Sequence, residues 1–232
     1  MPAEPPPVSA ARRARLAGLL TAETLGALAL LGTALGLFFY LTRVVFQKHS
    51  VTFDDWGFAQ MDGLRASAPG LTRWVRRLTF FGSVAFFVPA SLLLPWLLRR
   101  RGHARYAVEL LLSMGGGLVL NELLKAWFQR PRPTSALIYQ YGLSFPSGHA
   151  MMSVAFYGCL AWLTVQHGRH RAAAAVWALA LLGWAALIGL SRVYLHVHYL
   201  TDVVAGFAAG AAWLGLLRLA FNKQFWSMSN EQ

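Results

Sequence analysis

Apolar residues in this chain gather in long runs rather than alternating with polar ones. The runs cover about residues 16–46, 78–98, 106–128, 149–165, 172–190 and 203–221. Each is long enough for an α-helix to cross a hydrocarbon core of ~30 Å. The pattern predicts an all-α, polytopic membrane bundle of about six transmembrane helices. Residues 16–222 are expected to form one domain, flanked by a disordered Pro-rich N-terminus at 1–15 and a short tail at 223–232. Residues 48–77, which include Asp54, Asp55, Trp56 and Asp62, are too polar to span. Amphipathic helices lying on the outer surface are expected there. No internal repeat is visible.

Composition supports lipid as the main solvent. Hydrophobic residues make up 56% of the 232 positions and charged residues 13%, against about 25% charged in soluble domains. Arg12, Arg13 and Arg15 before the first run resemble the start of a secretory signal. The run that follows is far longer than a signal core of about 7–15 residues and has no obvious A-x-A-like cleavage site near its end, so it is expected to stay as the first span.

The net charge of +12 invites a nucleic-acid reading, but basic residues also collect in the cytoplasmic loops of membrane proteins. Three clusters fit the second explanation: Arg12/Arg13/Arg15, Arg99/Arg100/Arg101/Arg105 and Arg169/Arg171. Six spans put these clusters on one side with Arg218 and Lys223. That side is expected to be the cytoplasm, with both termini in it and no nucleic-acid partner. Cys159 is the single cysteine and has no intrachain partner with which to form a disulfide.

Three polar segments then fall at the opposite, extracytoplasmic face: Lys125–Pro133 (KAWFQRPRP), Phe145–His149 (FPSGH) and Ser191–Asp202 (SRVYLHVHYLTD). Pro131 and Pro133 end regular helix after Lys125. Ser147 and Gly148 make a good helix start, whose free N–H groups suit an anion, and His149 stands in that first turn. His198 and Asp202 are four residues apart. On a helix they would share a face, and the carboxylate would take the Nδ1 proton, leaving Nε2 free as a nucleophile or base. His196 is expected to be structural. Lys125, Arg130 and Arg132 taken alone are also what an ordinary membrane interface carries. Together, cations, a helix N-terminus and two histidines suit phosphoryl transfer.

These segments resemble the motifs of the type 2 phosphatidic acid phosphatase superfamily, K-x6-RP, PSGH and SR-x5-H-x3-D. Lys125 with Arg132-Pro133, then Pro146-Ser147-Gly148-His149, then Ser191-Arg192, His198 and Asp202 match every fixed position. Arg130-Pro131 is a second Arg-Pro pair, at the wrong spacing. The resemblance implies that His198 attacks phosphorus, Asp202 orients it, and His149 protonates the leaving oxygen and then activates water. It implies that Lys125, Arg132, Ser147, Gly148 and Arg192 hold the phosphate, with no metal or other cofactor. The implied substrate is a lipid phosphate reached from the bilayer: phosphatidic acid, phosphatidylglycerophosphate or a polyprenyl diphosphate such as undecaprenyl diphosphate. A lipid phosphotransferase using the same phosphohistidine, and a non-catalytic phospholipid-binding protein, are the alternatives. Soluble acid phosphatases and vanadium haloperoxidases share the motifs but do not explain the spans. Oligomeric state is not written in the pattern.

Overall fold

A computed structural model describes residues 22–48, 51–168 and 170–221. The Arg12/Arg13/Arg15 cluster, Arg169, Lys223, the start of the first span and both expected terminal segments lie outside the described residues. Among the described residues the chain is all-helical: α1 (Ala22–Phe46), α2 (Thr52–Ser67), α3 (Leu71–Phe80), α4 (Val84–Arg100), α5 (Ala104–Phe128), α6 (Gly148–His167), α7 (Arg171–Tyr194) and α8 (Leu200–Ala220). By length and apolarity, α1, α5, α6, α7 and α8 are each able to cross a membrane. Helices α3 and α4 pass the same test as a pair bent by 42°.

That bend corrects the second predicted span. Residues 78–98 read as one apolar run, yet the helix stops at Phe80 and restarts at Val84. Ser83 Oγ accepts from Phe86 N at 3.3 Å and donates to Phe80 O at 2.7 Å. A serine that satisfies the orphan groups of a new helix start competes with helix continuation, and hydropathy does not register this. Tyr157, in a π-helical turn of α6 at Val154–Gly158, donates to Phe81 O at 3.0 Å and so holds the break in place.

Helices α6 and α8 are the most buried spans and position the site. Helix α8 packs along α1 on one side and against α6 on the other. A Cβ on Gly206 would stand 2.6 Å from Ser147 O, and one on Gly210 would stand 2.8 Å from Met151 O. The two backbones approach this closely only because both positions are glycine, the small-xxx-small arrangement of membrane helices. At the other end of the bundle Arg218 of α8 pairs with buried Glu109 of α5 at 2.6 Å. An intramembrane charge needs such a partner.

The polar segment before the second span forms α2 and α3, as its pattern predicts. Helix α2 packs against α7 and α8, and α3 packs against α7, so together they wall one side of the bundle end that carries the three motifs. Trp56, Trp74 and Trp127 are exposed around that end, where amphipathic rings favour the interface.

Candidate active site

The loop from Gln129 to Ser147 brings the first two motifs together. Gln129 ends α5 in the left-handed region, at φ 46°, and its N–H closes on Lys125 O. Ser144 N then bonds Arg130 O at 2.8 Å, and Ser147 N bonds Asp202 O at 3.0 Å. Phe145 is fully buried among Phe38, Phe46 and Phe128 and anchors the loop. The start of α6 is thereby tied to the start of α8.

His198 lies in the turn between α7 and α8 and is 2% exposed. Arg132 Nη1 donates to His198 Nε2 at 3.0 Å and to Val197 O at 2.8 Å. Since a guanidinium only donates, Nε2 is the lone-pair nitrogen and Nδ1 carries the proton. Nδ1 lies 3.4 Å from Asp202 Oδ2. Burial pushes the His198 pKa down from 6.5 to about 4, with Asp202 opposing the shift and Arg132 and Arg192 adding to it.

The pairing of His198 with Asp202 is not the shared helical face that four-residue spacing suggests. His198 precedes α8, and Asp202 reaches back from the first turn, accepting from Tyr199 N at 2.9 Å. The carboxylate caps its own helix, and this brings it to the imidazole.

A cavity of about 370 Å³ is lined by Lys125, Arg132, Gly148, His149 and His198, together with Gln140 and Tyr141. His149 sits against Gly82 at the α3–α4 break. Gly148 faces Asn121 and Lys125: a Cβ there would be 3.1 Å from Asn121 Oδ1 and 3.5 Å from Lys125 Nζ. Lys125 pairs with Glu122 at 3.0 Å. Arg192 is 1% exposed and donates to Thr79 Oγ1 and Gln140 Oε1, both at 2.8 Å. Among the described residues, Arg192 Nε and Ser147 Oγ are buried without a hydrogen-bond partner. Unsatisfied buried donors are costly, and a phosphate oxygen is a fitting acceptor for both.

Eight residues were expected in the site: His198, His149, Asp202, Lys125, Arg132, Ser147, Gly148 and Arg192. All eight gather at this bundle end: five line the cavity, and Asp202, Ser147 and Arg192 each adjoin a residue that does, His198, Gly148 and Gln140 respectively. His196 points away, with Nδ1 3.0 Å from Ser135 Oγ and Nε2 3.0 Å from Asp62 Oδ1. Arg130, Asp54, Ser144, Thr79 and Gln140 also contribute, and motif spacing does not reveal them. Ser144 Oγ donates to Asp202 Oδ2 and lies 3.5 Å from His198 Nδ1. The one signal in the sequence was the second Arg-Pro pair at Arg130.

The cavity continues away from the cations between α4 and α5. Val84, Phe87, Val88 and Leu92 line it on one side, and Leu111, Met114 and Leu118 on the other. Val88 and Leu118 are 54% and 49% exposed, so this apolar arm opens sideways where the bundle meets lipid. From Lys125 to Leu111 it follows α5 for about 20 Å, at ~1.5 Å per residue.

A sequence profile of the PAP2 superfamily matches residues 106–226, just over half of the chain. The chain belongs to the PAP2 superfamily. Phosphatidylglycerophosphatase B of Bacillus subtilis is 30% identical over 182 residues, covering 76% of this chain and 88% of that enzyme. Lipid A 1-phosphatase of Rhizobium johnstonii is 34% identical over 114 residues, covering 44% of this chain and 41% of that protein. The crystal structure of a transmembrane PAP2-type phosphatidylglycerolphosphate phosphatase from Bacillus subtilis superposes with a TM-score of 0.67 at 28% identity, covering 79% of this chain and 93% of that one. That of Aquifex aeolicus LpxE gives a TM-score of 0.54 at 25% identity, covering 71% and 93%. The protein is thus an integral membrane PAP2 lipid phosphatase.

Proposed function

We propose that the protein hydrolyses a lipid phosphate monoester or diphosphate through a phosphohistidine on His198, at the extracytoplasmic face of the cell membrane with both termini cytoplasmic. The observation that carries this reading is one cavity in which a cationic, two-histidine end runs into a lipid-facing apolar arm. A phosphate on an acyl or prenyl chain fits both ends. The similarity to Bacillus subtilis phosphatidylglycerophosphatase B favours phosphatidylglycerophosphate, with phosphatidic acid and undecaprenyl diphosphate as the other substrates of suitable chemistry. The orientation rests on the Arg99–Arg101 and Arg105 cluster at the far end of α4 and α5.

The steps follow from the hydrogen bonds. The phosphate displaces Arg132 from Nε2, and the guanidinium turns to a phosphate oxygen. Lys125, Arg192, Ser147 and the Gly148 N–H take the other oxygens, neutralising charge as it redistributes. The Nε2 lone pair forms the P–N bond while the bond from phosphorus to the lipid oxygen breaks. His149 gives its proton to that leaving oxygen. Neutral His149 then takes a proton from water, hydroxide oxygen attacks phosphorus, the P–N bond breaks, and inorganic phosphate leaves with His198 restored. Asp202 steadies the positive charge of the phosphorylated imidazole.

Purified protein offered the three lipids in parallel, in chelator, is expected to release inorganic phosphate without an added acceptor, and His198→Ala is expected to release none. Release that appears only with a second lipid as acceptor would replace hydrolysis by phosphotransfer. Undiminished release from His198→Ala would remove the nucleophile assignment.

A further inference from the structure

Arg130 lies outside the K-x6-RP spacing and does not line the 370 Å³ cavity, yet it is held at the bundle end by two buried carboxylates and a threonine. Its Nη1 donates to Asp202 Oδ1 at 2.6 Å and to Thr201 Oγ1 at 2.8 Å, and its Nη2 donates to Asp54 Oδ2 at 2.8 Å. Its guanidinium carbon stands 4.0 Å over the Tyr199 ring. Asp54 comes from α2, is 1% exposed, and also accepts from Thr201 N at 2.8 Å and Thr201 Oγ1 at 2.9 Å. One guanidinium therefore bridges two buried carboxylates, one from a surface helix and one beside His198.

We propose that Arg130 is a positioning residue for the nucleophile: by holding Asp202 Oδ1 it presents Oδ2 to His198 Nδ1, and Asp54 sets how much of the Arg130 charge Asp202 feels. This deepens the reading of His198 as nucleophile and rests on it. The geometry divides the labour on Asp202. Oδ1 belongs to Arg130, while Oδ2 takes Ser144 Oγ, Tyr199 N and His198. A carboxylate fixed at one oxygen by a planar fork cannot swing its other oxygen away from the imidazole. Arg132, two residues on, meets the opposite edge of the same ring. The Arg-Pro-Arg-Pro run thus governs both nitrogens of His198, one directly and one through Asp202.

Charge counting gives a test that a merely structural role would not pass. Arg132 from the α5–α6 loop, Arg192 from α7, His149 from α6 and Lys125 from α5 face His198 or the cavity, and they stay the same in every variant. What changes is the cluster of Asp202, Asp54 and Arg130, whose net charge is one negative. Arg130→Gln leaves two negative charges near His198 and favours the imidazolium. The acid limb of kcat/KM, below which the nucleophile is protonated, then moves to higher pH, by about one pH unit at the effective dielectric of such sites. Asp54→Asn leaves Arg130 wholly to Asp202, so the limb moves to lower pH. Opposite displacements are expected from two changes at one ion pair.

The experiment is the pH dependence of phosphate release from one lipid phosphate in detergent for the wild type, Arg130→Gln, Arg130→Lys, Asp54→Asn and His198→Ala. A midpoint does not depend on what fraction of a sample is folded, and the substrate's own ionisation is common to all samples. The expected result is a displacement in opposite directions for Arg130→Gln and Asp54→Asn. In Arg130→Gln, kcat should fall by about 10²-fold, as a misplaced group allows, while KM changes little. Arg130→Lys should recover part of both effects. Unmoved limbs, displacement in the same direction, or a loss confined to KM would overturn the proposal. If Arg130→Gln does not fold, Asp54→Asn decides alone, since an unmoved or raised limb refutes it. An active His198→Ala would instead defeat the nucleophile assignment itself, whatever the limbs do.

Discussion

Replacing Gly206 with alanine adds one methyl group in the first third of α8, and the structure says where it lands. The new Cβ would lie 2.6 Å from Ser147 O, about 0.8 Å inside the 3.4 Å at which ordinary contact begins, and 3.0 Å from the Ala150 Cβ. The obstacle is backbone at the start of α6, so no side chain can rotate away. The start of α6 must lift from α8, and the bond from Ser147 N to Asp202 O at 3.0 Å is the first to lengthen. Overpacking of this size costs about 1–3 kcal/mol. Displacing the His149 turn relative to His198 by close to 1 Å costs about 10²-fold in rate. Alanine also gains up to about 1 kcal/mol over glycine in helix propensity, so the stability loss is expected to be small and the activity loss large. The assay is thermal melting in detergent alongside kcat for lipid phosphate release. Gly183→Ala in α7, where an added Cβ meets nothing within 4 Å, is the control. Gly206→Ala with the kcat of the control would refute the claim that this glycine sets the distance between the two histidines.

Other outcomes follow from the same geometry. Gly115 lines the apolar arm with nothing near its own Cβ position, so Gly115→Phe should lower kcat/KM for a long-chain lipid phosphate by about tenfold or more and leave a water-soluble aryl phosphate nearly unaffected. Ser144→Ala removes one donor from Asp202 and should reduce kcat by about tenfold, the scale of one hydrogen bond to a charged group, with KM unchanged. His198 stays neutral in the folded protein down to about pH 4, whereas the unfolded chain takes up that proton near 6.5. Stability from this group is therefore full above 6.5 and is lost as pH falls from 6.5 towards 4. The fall in Tm across that window should be shallower in His198→Gln.

Spans and motifs could be read in advance for different reasons. Long apolar runs in a chain with few charges leave little choice but membrane helices, and K-x6-RP, PSGH and SR-x5-H-x3-D state their own spacing. What escaped was whatever depended on contacts between distant segments. Asp54 meets Arg130 across 76 positions and Thr201 across 147, and nothing local marks Asp54 as anything but a helix-start acid. Ser144 looked like loop, although it donates to the carboxylate that neighbours His198. The break at Ser83 was hidden because hydropathy averages over a cap. The four-residue spacing of His198 and Asp202 suggested contact for a reason the structure does not use, since only Asp202 is helical. Arg130 falls outside the K-x6-RP spacing, and a spacing rule says nothing of the residues that brace its own members.

The proposed mechanism requires a covalent bond between His198 Nε2 and phosphorus. The most direct measurement offers a radiolabelled aryl phosphate to His149→Ala, in which the leaving group needs no proton but water activation is lost, and quenches the reaction in alkali. Label is expected to accumulate on the protein, survive alkali, be released by acid, map to His198, and be absent when His198 is also replaced by alanine. Turnover by the wild type with no label trapped in His149→Ala, or label that persists without His198, would contradict it.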